Sequence, residues 1–294
     1  MIWYKAGAIV LLSGFFLASC QPAASNESPT TIPTTAPTLR APTPTAQEPV
    51  QTPTQEAEIE IPDEPEPTET AKPGTELEKN IKLEISEVLI PVDGLDLAGT
   101  YYAPIDNPPP WPGVILLHML WGNRTSWDEY ARELADAGYA VLSIDLRGHG
   151  ETGGAVDWES AVSDLQQVWI YLIERPDIDP DRTAFLGASI GANLALIAGA
   201  NEPAVRTVVL LSPGLSYAGV KTEAAMQSYG ERPVLIAASK EDTYAASSSI
   251  ALEANALGES QLIMYEDAGH GIFMIKAEPE LSQLIIEWLD RYLN

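Results

Sequence analysis

A serine flanked by two glycines lies where an apolar run gives way to a helical pattern. The segment Gly187-Ala188-Ser189-Ile190-Gly191 follows the run Thr183–Leu186 and precedes a stretch rich in alanine and leucine. In a strand–turn–helix setting, G-x-S-x-G exposes a serine hydroxyl at the edge of a sheet. Glycines are needed there because the turn is too tight for side chains next to the serine. We therefore predict that Ser189 is a nucleophile.

Apolar runs alternate with amphipathic segments on both sides of Ser189. Two strands are predicted first, over Ile81–Ile90 and Leu95–Ala103 around the turn Asp93-Gly94. Short buried strands follow at Gly113–Leu117, Tyr139–Asp145, Thr183–Leu186, Val205–Leu211, Pro233–Ala238 and Gln261–Tyr265. Helical periodicity falls at Trp127–Ala137, Trp158–Glu174, Gly191–Gly199, Tyr244–Leu257 and Pro279–Leu293. This order predicts an α/β fold with a mostly parallel, doubly wound sheet, helices on both faces and reactive groups at the carboxyl ends of the strands.

Over residues 85–294 the chain resembles the α/β-hydrolase superfamily, and within it the dienelactone-hydrolase and simple esterase branch. The resemblance rests on the G-x-S-x-G motif around Ser189 and on the segment Asp145-Leu146-Arg147-Gly148-His149-Gly150, which is similar to a structural turn of that family. It implies the α/β-hydrolase fold and a serine hydrolase that acts on carboxylic esters of small molecules without a cofactor or metal.

The resemblance also implies the partners of the serine. His270, on the loop after the last predicted strand, matches the general base, and Asp242 matches the acid. Such a serine needs an imidazole to accept its proton and a carboxylate to fix the imidazole tautomer. Ser239 stands where the family commonly has glycine before the acid, so Glu241 stays open as the alternative acid.

Backbone amides should bind the oxyanion that forms during acyl transfer. The residue after the nucleophile, Ile190, supplies one amide. By position in the loop after the third strand, Leu120 supplies the other, with Met119 as the alternative, and we interpret His118 as a packed structural residue.

About 20 residues separate the strands ending at Leu211 and beginning at Pro233, which leaves no room for a large cap. Five residues flank the predicted loops and could either line an apolar acyl pocket or pack in the core: Met119, Trp121, Tyr217, Phe273 and Met274.

Charge and rare residues exclude several classes of function. The chain has 294 residues, with 42 acidic and 16 basic side chains and a net charge of −26, so it has no basic field for nucleic acid. Its only cysteine, Cys20, excludes an internal disulfide framework and a cysteine zinc site. The three histidines show no metal-binding spacing, and no protein partner is evident.

The sequence of the first 80 residues predicts a targeting segment followed by a tether. Residues 1–20 combine a short basic start, an apolar run and small residues, as in a secretory signal peptide. Their ending, Leu17-Ala18-Ser19-Cys20, resembles the bacterial lipobox, which implies lipidation of Cys20 and an extracytoplasmic, membrane-anchored protein at the cell surface or in the periplasm. Residues 21–80 hold 12 of the 24 prolines, 12 threonines and no aromatic residue, which predicts a disordered acidic linker. The catalytic domain is then 81–294.

Two alternatives stay open besides the lipid-anchored esterase. A serine peptidase of the same fold would use the same three side chains. A surface module that only binds would not need them. The intact set of Ser, Asp and His favours an enzyme over a module that only binds. We favour an esterase over a peptidase because a gating domain of the kind that such peptidases carry is not evident in the sequence.

Overall fold

The computed structural model describes residues 83–294. The predicted signal peptide, Cys20 and the linker at 21–80 lie outside the described residues. The strands are β1 (Glu84–Val92), β2 (Leu95–Ala103), β3 (Trp111–Leu117), β4 (Ala140–Ile144), β5 (Ile178–Ala188), β6 (Thr207–Leu211), β7 (Ser216–Tyr217), β8 (Val220–Lys221), β9 (Val234–Ser239) and β10 (Ser260–Tyr265). The helices are α1 (Asp128–Asp136), α2 (Trp158–Ile173), α3 (Ile190–Asn201), α4 (Glu223–Tyr229), α5 (Thr243–Ala254), α6 (Phe273–Ala277) and α7 (Pro279–Leu293).

Eight of these strands form one sheet in the order β1-β2-β4-β3-β5-β6-β9-β10. β2 pairs antiparallel with β1 and with β4. The other six strands of the sheet run parallel to one another: β4, β3, β5, β6, β9 and β10. β7 and β8 form a separate small hairpin. The prediction of a mostly parallel, doubly wound sheet is confirmed.

Each face of the sheet is covered by helices, because the central strands are apolar on both sides. One core contains buried residues of α2 and α3, such as Leu165 and Leu194. The other contains buried residues of α1 and α7, such as Leu134 and Ile285. Burial on both faces is typical of parallel sheets and explains why β3, β4, β6 and β9 are continuous apolar runs rather than alternating ones.

Several short elements, and the first part of β5, were not predicted from the sequence. β5 begins at Ile178, five residues before the predicted strand, because its first part contains Asp179-Pro180-Asp181, which reads as a turn. The hairpin β7–β8, with two residues in each strand, and α6, with five residues, are too short to show a period. α4 has seven residues and also went unpredicted.

Two properties of residues 83–294 bear on a membrane and on a metal ion as partners. In that range no helix has both the length and the apolar character that crossing a membrane requires. The same residues contain no group of three or more His, Cys, Asp or Glu side chains placed to hold a metal ion.

Candidate active site

Ser189 occupies the turn between β5 and α3 in a strained backbone conformation, with φ 56° and ψ −122°. A Cβ on Gly187 would lie 2.1 Å from Gly191 O, and a Cβ on Gly191 would lie 2.3 Å from Leu117 O. Both motif glycines are therefore required by close backbone approach. The Ser189 amide donates to Leu211 O at 2.8 Å, which fixes the turn to the end of β6.

His270 and Asp242 are brought together from the ends of two neighbouring strands. Nδ1 of His270 donates to Oδ2 of Asp242. Oδ1 of Asp242 accepts the Ala245 amide at 3.3 Å and so caps the first turn of α5. The carboxylate therefore places the imidazole proton on Nδ1 and leaves Nε2 free to accept a proton.

Glu241, the alternative acid, has a different contact. Its Oε1 accepts the Gly269 amide at 2.5 Å, one residue before His270. Its side chain is fully exposed, and a hydrogen bond with Asp267 raises its pKa. Within the described residues, the carboxylate that accepts a hydrogen bond from the His270 ring is that of Asp242 and not that of Glu241.

Two buried serines hold the loop that carries His270. Ser239 Oγ accepts the Ala268 amide at 2.9 Å, and Ser212 Oγ accepts the Gly271 amide at 2.8 Å. Both serines are fully buried, at the carboxyl ends of β9 and β6. Ser239 thus has a function in place of the glycine that the family pattern led us to expect. Ser212 was missed by sequence reasoning, although its position directly after a buried strand is a signal that could have identified it.

His118 orients the predicted oxyanion loop. Its Nδ1 lies 2.7 Å from Met119 O, and its Nε2 accepts the Leu146 amide at 3.0 Å, so the proton is on Nδ1. Burial lowers the pKa of His118 to about 4, which keeps the ring neutral near pH 7. Met119 O and the Leu120 N–H belong to one trans peptide unit and point in opposite directions. The hydrogen bond from His118 therefore turns the Leu120 amide away from His118.

The other side of this loop is tied to the Asp-x-Arg-Gly-His-Gly turn. His149 Nε2 lies 2.8 Å from Leu120 O. Asp145 is fully buried and accepts the Arg124 amide at 2.6 Å and its Nη1 at 2.5 Å, and it also accepts the Glu151 amide at 2.7 Å. Arg147 pairs with Asp164. These contacts agree with our interpretation of the turn as structural.

Two amides near Ser189 are free to receive a negative oxygen. Ile190 begins α3, where the first amides of a helix have no partner within it. Within residues 83–294, neither the Leu120 amide nor the Ile190 amide donates to a protein acceptor. Both residues lie beside Ser189 at the same edge of the sheet, because they follow β3 and β5, which are neighbours. The pair has the composition of an oxyanion hole.

Ser189 and His270 line one cavity of about 940 Å³. Tyr217 also lines it, and its ring packs edge-on against that of His270 with 6.2 Å between centroids. Among the five predicted pocket residues, Met119, Trp121, Tyr217 and Phe273 line the cavity. Met274 instead packs in the core, the alternative that the sequence left open: its side chain is fully buried, and its Sδ lies 3.8 Å from Ser212 Oγ.

Solved structures with the same architecture identify the fold. A dienelactone hydrolase from Anabaena variabilis superposes with a TM-score of 0.61 at 22% identity, over 72% of this chain and 99% of its own. An acetyl xylan esterase from Paenibacillus superposes with a TM-score of 0.64 at 18% identity, over 75% of this chain and 87% of its own. The chain has the α/β-hydrolase fold. The resemblance drawn from the G-x-S-x-G motif is confirmed at the level of fold.

A family model also matches part of this chain. The model, described as serine aminopeptidase S33, covers residues 109–231. That segment contains the oxyanion loop and Ser189, and it ends before Asp242 and His270. The match therefore concerns the nucleophile half of the candidate site.

Two relatives found by sequence match a similar share of this chain. An uncharacterized protein of Mycobacterium tuberculosis is 32% identical over 128 residues, which are 44% of this chain and 45% of that protein. The esterase FrsA of Yersinia pestis is 31% identical over 147 residues, 47% of this chain and 34% of its own. The chain thus spans less than half the length of these curated relatives.

Proposed function

We propose that this α/β-hydrolase cleaves carboxylic esters through an acyl-enzyme on Ser189. The observation that carries the proposal is the contact between His270 Nδ1 and Asp242 Oδ2, beside a strained serine that lines the same cavity as His270. A carboxylate-held imidazole next to an activated hydroxyl is the arrangement that makes serine a nucleophile at neutral pH. The esterase names of FrsA and of the xylan esterase agree with this proposal.

The reaction follows from the roles of these groups. Ser189 Oγ attacks the ester carbonyl carbon while His270 Nε2 takes the hydroxyl proton. Asp242 stabilises the imidazolium, and the Leu120 and Ile190 amides stabilise the oxyanion. The C–O bond then breaks, and the leaving alcohol receives the proton from His270. Water repeats the sequence on the acyl-enzyme, which releases the acid and restores the serine.

Peptide hydrolysis is the second candidate, because the matching family model is named for a serine aminopeptidase. Labelling with a fluorophosphonate tests both enzyme proposals, since it requires an activated serine. We expect labelling of wild type and none of Ser189→Ala. A panel of p-nitrophenyl esters and aminoacyl p-nitroanilides then separates the two, with ester turnover expected and anilide turnover slower. Labelling of Ser189→Ala at the wild-type rate would contradict both.

The contact between His118 and Met119 O predicts a loss of transition-state stabilisation when His118 changes. In His118→Leu the Leu120 peptide unit loses this restraint, and we expect kcat to fall about 10- to 100-fold with little change in KM. His118→Asn should lose less, because its amide N–H can replace Nδ1–H. Steady-state kinetics on p-nitrophenyl butanoate measure the effect. A folded His118→Leu protein with wild-type kcat would contradict it.

We also propose that lipidated Cys20 anchors the protein to a bacterial membrane on an extracytoplasmic side, at the cell surface or in the periplasm, with residues 21–80 as a tether. Support comes from the segment Leu17-Ala18-Ser19-Cys20 at the end of a secretory signal. We expect wild type to incorporate labelled palmitate and to sediment with membranes, and Cys20→Ala to do neither. If Cys20→Ala is still membrane-bound and is processed at the same residue, the anchor proposal is wrong. Ser19→Ala is the matched control, since alanine is accepted beside the cleavage point.

A further inference from the structure

A second cavity, of about 440 Å³, lies where the start of α2 meets the end of α3, and we call it the α2–α3 cavity. α3 has 12 residues, so its length of about 18 Å separates this cavity from Ser189. The polar lining comes from one face of α2, where the residues are spaced by four and three, and from the end of α3: Glu159, Ser163, Gln166, Asn201 and Glu202. Two of these five side chains are acidic and none is basic, so the cavity does not suit an anion.

Glu202 in this lining is a buried carboxylate without a partner. The residue is only 8% exposed, and its Oε1 is shielded from water and has no hydrogen-bond partner among residues 83–294. Arg232 donates to the main-chain oxygen of Glu202 rather than to its carboxylate. None of the ion pairs within the described part of the chain includes Glu202. A buried charge of this kind is costly unless a group of opposite charge lies beside it.

The helix dipoles distinguish Glu202 from the other glutamate of the cavity. Glu159 is exposed and lies in the first turn of α2, where the positive end of the helix stabilises a carboxylate. Glu159 is therefore stable at its position without a ligand. Glu202 is the C-cap of α3, where the negative end of the helix destabilises a carboxylate and favours a cation. Burial and the helix dipole thus both favour a cation beside Glu202.

We infer that the α2–α3 cavity binds a primary ammonium group on a short aliphatic stem. An ammonium group has three N–H donors and no acceptor, which suits a carboxylate that shares a cavity with the side-chain oxygens of Ser163, Gln166 and Asn201. Val162 and Ala198 also line the cavity, and their apolar surface would cover the methylene groups of the stem.

Two other classes of cation fit this lining less well. Quaternary ammonium groups are recognised by aromatic rings, and the residues that line the α2–α3 cavity include no aromatic side chain. A calcium ion takes roughly six to eight oxygen ligands, with carboxylates prominent among them. The cavity has two carboxylates, and residues 83–294 contain no group of three or more acidic, histidine or cysteine side chains placed to hold a metal ion.

Calorimetric titration of the full-length protein with 1,4-diaminobutane, at about 0.15 M salt, tests the inference. We expect one saturable site per chain with a Kd on the order of 1 mM or lower, and no binding of 1,4-butanediol, which has the same length and no charge. Glu202→Gln keeps the shape of the side chain and removes its charge, so the affinity should fall at least about tenfold. Without ligand, this variant should melt at or above the wild-type Tm, because it no longer buries an unpaired charge.

Glu174→Gln is the matched control. Glu174 is the C-cap of α2, as Glu202 is of α3, but it is exposed and does not line the cavity. Both variants change the net charge of −26 by one, so a diamine attracted only by that charge would lose the same affinity in both. Equal losses in the two variants, tighter binding of Ca²⁺ than of the diamine, or no saturable binding to wild type would overturn the inference.

Ser163→Lys gives a second test that leaves Glu202 in place. Ser163 is exposed, and its hydroxyl donates to Ser160 O, so the change does not disturb the core. The new side chain carries an ammonium group on a four-carbon stem at the wall of the cavity. We expect it to occupy the site, which should raise Tm by about 2–4 °C and abolish diamine binding. Diamine binding with wild-type affinity in this variant would contradict the proposed site.

Discussion

The variants Ser189→Ala and His270→Ala and the double variant are expected to show the same residual kcat, on the order of 10⁶-fold below wild type. The reason is that the imidazole acts on the substrate through the serine hydroxyl, so removing either group removes the whole nucleophilic contribution. The residual rate comes from binding and from the oxyanion-hole amides. Initial rates on p-nitrophenyl butanoate, measured with enzyme in large excess, give the residual kcat of each of the three variants.

A matched control is Ser216→Ala, which removes an exposed serine hydroxyl in β7. We expect this variant to have wild-type kcat, because Ser216 contacts Tyr244 through its backbone N–H and C=O groups. If the losses in Ser189→Ala and His270→Ala were independent, their logarithms would add in the double variant. Such additivity, with all proteins folded, would contradict a shared role.

Asp242→Asn is expected to lower kcat by up to about 10⁴-fold with little change in KM. Asparagine is as good an N-cap as aspartate, so the cap of α5 that Asp242 forms through Ala245 should persist. Its amide cannot stabilise the imidazolium, and it favours the wrong tautomer of His270. Kinetics at saturating ester and a thermal melt together separate this chemical effect from unfolding.

Glu241→Gln serves as the comparison, because Glu241 contacts the amide of Gly269 and not the ring of His270. A glutamine oxygen can still accept that amide, so we expect a loss of about tenfold or less. The reverse pattern, near-normal turnover in Asp242→Asn with collapse in Glu241→Gln, would transfer the role of the acid to Glu241.

The order of the elements and the end of each strand were predictable from the sequence, because these features are local. Apolar runs mark the buried strands, and reactive residues directly after them must meet at one edge of a parallel sheet. That rule placed Ser189 at this edge, and the resemblance to the α/β-hydrolase superfamily implied that Asp242 and His270 join it there. It also identified Gly187 and Gly191 as conformational requirements.

The remaining features depend on contacts between distant segments, which no local pattern encodes. Ser212 touches Gly271, 59 residues later, so its support of the histidine loop was not visible. His118 was interpreted as a packed structural residue, which agrees with its full burial, but the sequence did not show that its ring nitrogens orient the Leu120 peptide. For Met274 the sequence left pocket and core open, and the five-residue helix α6 decides between them, because it exposes Phe273 and buries Met274.

The backbone at Ser189 also bears on why this residue is a serine at all. A φ of 56° with ψ of −122° costs a side-chain-bearing residue on the order of 1–3 kcal/mol, against a total folding stability of about 5–15 kcal/mol. Glycine adopts such angles freely. Selection for folding alone favours glycine at position 189, whereas chemistry at a hydroxyl requires a serine there. The strain at this turn therefore supports our proposal of a serine hydrolase over a surface module that only binds.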